Sequence, residues 1–204
     1  MYSLNRKISR TFQAPVFGEI VSALEKNHRA TEKFKHVDDI NNLALLKLQK
    51  SNLIRYVLLN QEEFNSSRAK EKKQRAVKGY LFLEIKKGFA AAHVDISFLT
   101  EEFRGLGIGK KIYERAVLKD DVFLMSGRLQ TPLSQRLWKS LAKNKNLFVW
   151  AQDLNSPRDK CQVQIDEDEE LHCQLNIWYN DKTYWENRNK DIRLFAIPTR
   201  KSRL

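Results

Sequence analysis

The spacing of apolar positions divides the chain into helix-like and strand-like stretches. Ile20, Val21 and Leu24 fall at helical spacing and predict a helix over 16–27. Ile40, Leu43, Ala44 and Leu48 predict a second helix over 38–49 by the same argument. Leu53–Leu59 is rich in β-formers and reads as a strand. Ser66–Lys78 is basic, has no apolar stripe, and reads as a loop or short helix. Gly79–Lys86 and Phe89–Thr100 read as two strands, with Lys86-Lys87-Gly88 between them as a hairpin signal.

Past the hairpin the period changes. Ile108, Ile112 and Ala116 recur at intervals of four, with Tyr113 and Val117 beside them, and predict a helix over 107–118. Asp121–Met125 is a short strand candidate. Thr131-Pro132 supplies an N-cap and a first-turn proline for another helix, whose stripe is Leu133, Leu137 and Leu141. Leu147–Ala151 is strand-like, and weaker strand patterns follow at Leu171–Trp178 and Ile192–Ile197.

Composition narrows the class. The 204 residues are 42% hydrophobic and 30% charged, enough for one sizeable core and unlike a disordered chain. No apolar run approaches the ~20 residues of a membrane-spanning helix, so no membrane partner is expected. Cys161 and Cys173 lack the spacing of zinc ligands, no metal is expected, and reduced thiols in a cytoplasmic protein are the simplest reading. The net charge of +12 favours polyanions. Arg68–Lys78 holds six basic residues against Glu71 alone, whereas Asp166–Glu170 is an unbroken acidic run. Both are ordinary as solvated surface; nucleic acid on 68–78 is the sharper alternative.

Three of the seven glycines lie at 105, 107 and 109, between a strand and a helix. A turn without side chains there lets backbone N–H groups approach a diphosphate. The helix N-terminus behind it adds about half a positive charge, and Arg104 and Lys110 flank it. The spacing is not Gly-x-Gly-x-x-Gly, and Gly109-Lys110 is followed by Lys111 rather than Ser or Thr, so neither a dinucleotide fingerprint nor a Walker motif applies.

Arg104-Gly105-Leu106-Gly107-Ile108-Gly109, in the order hairpin, glycine turn, helix, short strand, helix, strand over 79–151, resembles the GNAT (N-acetyltransferase) superfamily motif Gln/Arg-x-x-Gly-x-Gly/Ala. The resemblance implies an α/β (α+β) fold with a mixed, mostly antiparallel central sheet flanked by helices, and a cofactor helix after the fourth strand. It implies a single domain over 1–204, with a divergent part at 1–78, a cofactor-binding core at 79–151, and C-terminal strands or a docking region at 152–204. The implied cofactor is acetyl-CoA. Its pantetheine arm would pair with Phe98, Leu99 and Thr100, and its pyrophosphate would lie on the amides from Arg104 to Lys110. An amine, a protein amine among the candidates, would attack the thioester directly.

The family's general base maps to His93, eleven residues before Arg104, with Asp95 and Ser97 on the same strand face. A half-exposed polar strand face without catalysis is the alternative. The family's acid, a tyrosine in a Leu-Tyr-x-x-Leu pattern, is replaced in Leu137-Trp138-Lys139-Ser140-Leu141 by Trp138, whose indole only donates a hydrogen bond. Ser134, Tyr113 or water is left for that task, and Gln130 is another nearby polar group. Lys139 and Lys143 are candidates for the 3′-phosphate or adenine. The Leu-Trp-x-x-Leu variant is similar to phage-encoded members, which implies a viral protein in host cytoplasm. The competing reading is an inactive GNAT-fold protein that binds nucleic acid or a partner protein.

Overall fold

The structure, a computed structural model, describes residues 15–26, 33–86, 88, 90–127, 131–165, 171–172 and 191–201. A helix at 15–25 (α1) opens it. There follow β1 (Lys35–Ile40), β2 (Leu43–Gln49), β3 (Leu53–Leu59), α2 (Gln61–Ser66), α3 (Lys70–Ala76), β4 (Val77–Ile85) and β5 (Ala92–Leu99). Then come α4 (Ile108–Glu114), which continues as a π-helical turn through Arg115–Lys119, β6 (Leu124–Met125), α5 (Pro132–Ala142), β7 (Leu147–Asp153) and β8 (Ser156–Gln162). A small two-stranded sheet, β9 (Gln164–Ile165) with β10 (Leu171–His172), precedes β11 (Ile192–Pro198). The large sheet has the order β1-β2-β3-β4-β5-β6-β11-β7-β8 and is mostly antiparallel; β5 and β6 run parallel. The fold class is thus mixed α/β, as the sequence suggested.

The second expected helix is absent. Residues 38–49 form the end of β1, a two-residue turn and β2, with Ile40 opposite Leu43. Asn41 and Asn42 stand at φ 51° and 62°, the conformation a two-residue hairpin turn of the I′ class demands. The helical spacing of Ile40, Leu43, Ala44 and Leu48 was coincidental: β2 is buried on both faces, so its apolar residues run together instead of alternating. Because this stretch supplies two strands, the glycine turn follows the fifth strand of the chain and not the fourth.

The chain groups into two compact units, divided within β4, within β5 and between Phe103 and Arg104. The first comprises residues up to Phe82 together with Ile96–Phe103. Its core gathers Ile20, Val21 and Leu24 of α1, Leu46 and Leu48 of β2, Val57 of β3 and Tyr80 of β4. The basic stretch lies here: α3 begins at Lys70, Lys73 pairs with Glu25 at 2.9 Å, and Lys78 pairs with Glu63 at 2.8 Å. Arg68, Lys70, Lys72 and Arg75 are exposed.

The second unit comprises Leu83–Asp95 and the chain from Arg104. Thr131 caps α5 through its hydroxyl, which accepts from the Ser134 N–H at 3.2 Å, and Pro132 follows as expected. β7 alternates strictly between buried and half-buried positions, so one of its faces is core. On the opposite face Trp150 stacks on Phe195 of β11 at 5.0 Å, within a cluster that includes Phe123 and Met125. Cys161 is disulfide-bonded, unlike the reduced thiols expected; the other cysteine of the sequence is Cys173. Trp178, Gln130 and the acidic run 166–170 lie outside the described residues. Among those described, no helix is long and apolar enough to cross a membrane.

Candidate functional site

The glycine turn has the backbone that its sequence requires. Gly105 and Gly107 stand at φ 79° and 73°, left-handed values that cost an ordinary L-residue about 1–2 kcal/mol. Gly107 is the N-cap of α4, and the first intrahelical bond runs from Lys111 N–H to Gly107 O at 3.1 Å. The N–H groups of Ile108, Gly109 and Lys110 precede that bond and have no acceptor within the helix. Arg104 to Gly107 are exposed, and Leu106 is 56% exposed at the tip. Ile108, in contrast, is fully buried and anchors the turn from below. The turn therefore offers a run of amides at a helix start, with no side chain at 105 or 107 to cover them.

Of the flanking charges, Lys110 is not simply aimed outward. Its ammonium lies 3.6 Å from Glu114, and Glu114 also accepts from Asn144 at 2.5 Å, a link from α4 to the end of α5. Gly109 faces α5: a β-carbon there would stand 3.9 Å from Leu137 Cδ1, an ordinary contact. Lys139 is half-buried and Lys143 exposed, both on α5.

The expected arm-binding residues belong to the first unit. Phe98 packs with Phe17 and Tyr80, ring centroids 5.5 Å from each. Leu99 approaches Gly79, where an added β-carbon would sit 2.8 Å from Leu99 Cδ1 and 2.9 Å from the Phe98 carbonyl oxygen. Thr100 N–H donates to Lys78 O at 2.9 Å, so it is spent on β4, and Thr100 Oγ1 is buried without a partner. In the sequence pattern Gly79 only opens a strand; its role as the point of close approach for Phe98–Leu99 carries no separate sequence signal.

His93 lies in the second unit, where the parallel ladder of β5 with β6 ends. That ladder has two pairs, Ala92 with Leu124 and His93 with Met125. Arg193 Nη1 donates to His93 Nε2 at 3.3 Å and to Ser126 O at 3.3 Å. Its Nε and Nη2 grip both carboxylate oxygens of Asp191 at 2.5 and 3.1 Å. Ser126 is almost fully buried and bonds Leu194 twice, N–H to carbonyl at 2.8 Å and Oγ from the Leu194 N–H at 2.9 Å. Burial above all, then Lys86 and Arg193, holds the His93 imidazole below its ordinary pKa, against the opposing pull of Asp95 and Glu84. Asp95 and Ser97 are exposed. No local pattern pointed to Arg193, Asp191 and Ser126: they lie far from His93 in the chain, and pairing of β11 with β6 brings them to it.

The acid position is part of the core. Trp138 is 2% exposed and packs edge-on against Tyr113 of α4, centroids 6.2 Å apart, both side chains buried. Ser134 stands in the first turn of α5, where its N–H meets the Thr131 cap. Comparison of the chain with protein-family models, with curated proteins and with solved structures finds no match.

Proposed function

We propose that the chain binds acetyl-CoA through the turn Arg104–Lys110 and transfers the acetyl group to an amine by direct attack on the thioester. One observation carries the reading: two exposed left-handed glycines, Gly105 and Gly107, lead directly into the first turn of α4. A diphosphate on the N–H groups of Gly109 and Lys110 would satisfy donors that have no acceptor within the helix. Arg104 adds a cation beside them. The chemistry asked of the protein is then positioning of thioester and amine.

A second reading, binding without turnover, is favoured by Trp138. A buried indole packed on Tyr113 fills the position from which the resemblance would have a tyrosine protonate the leaving thiolate.

Calorimetric titration with acetyl-CoA tests the proposal. Binding near 1:1 is expected, abolished in Gly107→Trp and kept in Gly109→Ala, whose β-carbon meets only Leu137 at contact distance. No heat at millimolar cofactor, with the protein folded, would sink both the cofactor and the enzyme. Binding without thiol release in the presence of a panel of amines would select the second reading.

A further inference from the structure

We infer that His93 is a hydrogen-bond acceptor that pins β5 to β6 and β11 through Arg193, and not a base that takes a proton from substrate. The inference stands whether or not the chain binds acetyl-CoA.

The argument begins with what a guanidinium can do. It has five donors and no acceptor, so the 3.3 Å contact of Arg193 Nη1 with His93 Nε2 places the lone pair on Nε2 and the proton on Nδ1. Arg193 is not free to leave. Asp191 holds it through two oxygens, and Ser126 O accepts from the same Nη1. The lone pair that a general base would use is thus turned onto a fixed cation. The other nitrogen, Nδ1, is buried and has no partner, so no substrate amine reaches it in this arrangement.

The location explains why such a contact is useful. β6 has two residues and pairs with β5 through only two positions, the second being His93. Where that ladder stops, Arg193 of β11 spans from the imidazole of β5 to the carbonyl of Ser126, directly after β6. Side chains continue across three strands a connection that the backbone ladder has ended.

The pin holds only while the ring is neutral. Protonation would set a second N–H against Arg193 and add a cation beside Lys86 and Arg193, with Asp95 and Glu84 opposing. β6 presents no charged side chain there: Leu124 and Met125 form it and Ser126 follows. The folded state lowers the imidazole pKa below the ~6.5 of an unfolded chain, so the folded state binds fewer protons. The stabilisation is therefore complete above about pH 6.5 and is lost as the pH falls below it.

Nitrogen-15 NMR of the histidine rings tests this, with the His93 signals assigned by their disappearance in His93→Gln. Expected are a protonated Nδ1, an unprotonated Nε2, and a titration midpoint below 6.5 that rises in Arg193→Leu. Should Arg193→Leu not fold, Asp191→Asn removes the carboxylate that offsets the same guanidinium and should lower the midpoint further. His93→Gln, whose side-chain oxygen can accept from Arg193, should keep the wild-type melting temperature at pH 7.5 and lose its fall toward pH 5.5; His93→Leu should melt lower at both. An Nε2–H tautomer, or a midpoint at or above 6.5 that ignores Arg193 and Asp191, would overturn the inference.

Discussion

Two of the turns that bend this chain through left-handed backbone do it with different residues. The β1–β2 hairpin uses Asn41 and Asn42 at φ 51° and 62°; the approach to α4 uses Gly105 and Gly107 at φ 79° and 73°. Asparagine tolerates this region because its short polar side chain can bond locally. Left-handed geometry alone therefore does not call for glycine here. Nor does crowding, since a β-carbon added at Gly105 or Gly107 would meet nothing within 4 Å. What glycine provides at 105 and 107, and asparagine at 41 and 42 does not, is bare backbone facing outward. The hairpin only needs to reverse the chain, whereas the second turn leaves room over its amides. That difference is the physical basis for placing a ligand at one turn and none at the other.

The largest expected effect lies between α4 and α5. Trp138→Ala removes a fully packed side chain that α5 sets against Tyr113 of α4. Its cost should be about 3–5 kcal/mol, read from the shift in urea midpoint. The turn at the head of α4 should lose its ligand with the fold. A cost under about 1 kcal/mol would mean that Trp138 is not part of the core.

Next in size is Gly107→Asn, which transfers the hairpin's solution to the glycine turn. Stability should fall by no more than about 1 kcal/mol, because asparagine adopts the same φ with little strain. Acetyl-CoA binding should fall at least about tenfold, or roughly 1.4 kcal/mol, because a side chain now covers the amides. Unchanged affinity would erase the distinction between the turns and leave glycine with a purely conformational task.

The same contrast shows what the sequence could reveal. The region from Ile108 to Asp153 was legible in its elements because its caps are local: Thr131-Pro132 starts α5 where expected, but of the expected stripe Leu133 is exposed, and Trp138 is buried beside Leu141. Residues 38–49 misled because β2 is buried on both faces, so period gave no warning. Asn41-Asn42 between Ile40 and Leu43 was the available signal, a turn dipeptide flanked by apolar residues. The candidate turn was visible as three glycines, but the two that matter for φ are 105 and 107; Gly109 lies within α4 at normal contact with Leu137. His93 could be named only through the resemblance, which places a base eleven residues before Arg104, while the use of its lone pair depends on Arg193, one hundred residues away in the chain. Local chemistry is readable from local sequence, and a partner delivered by strand pairing is not.

The smallest effect separates the two turns most cleanly. Asn42→Gly places glycine at the second central position of a two-residue hairpin turn, where Asn-Gly is the preferred pair. Asn42 is exposed, so no packing is lost. The folded state should gain or lose no more than about 0.5 kcal/mol, since relief of the left-handed strain is offset by the extra freedom glycine gives the unfolded chain. Acetyl-CoA titrations should be indistinguishable from wild type. If baring this turn created a second, weaker site for the cofactor or for free pyrophosphate, then left-handed bare backbone would suffice for binding. In that case the open N–H groups of α4 would not be what distinguishes Arg104–Lys110. If no such site forms, the helix start behind the glycines is the necessary part, because a hairpin turn hands its N–H groups to the neighbouring strand while a helix leaves its first ones open.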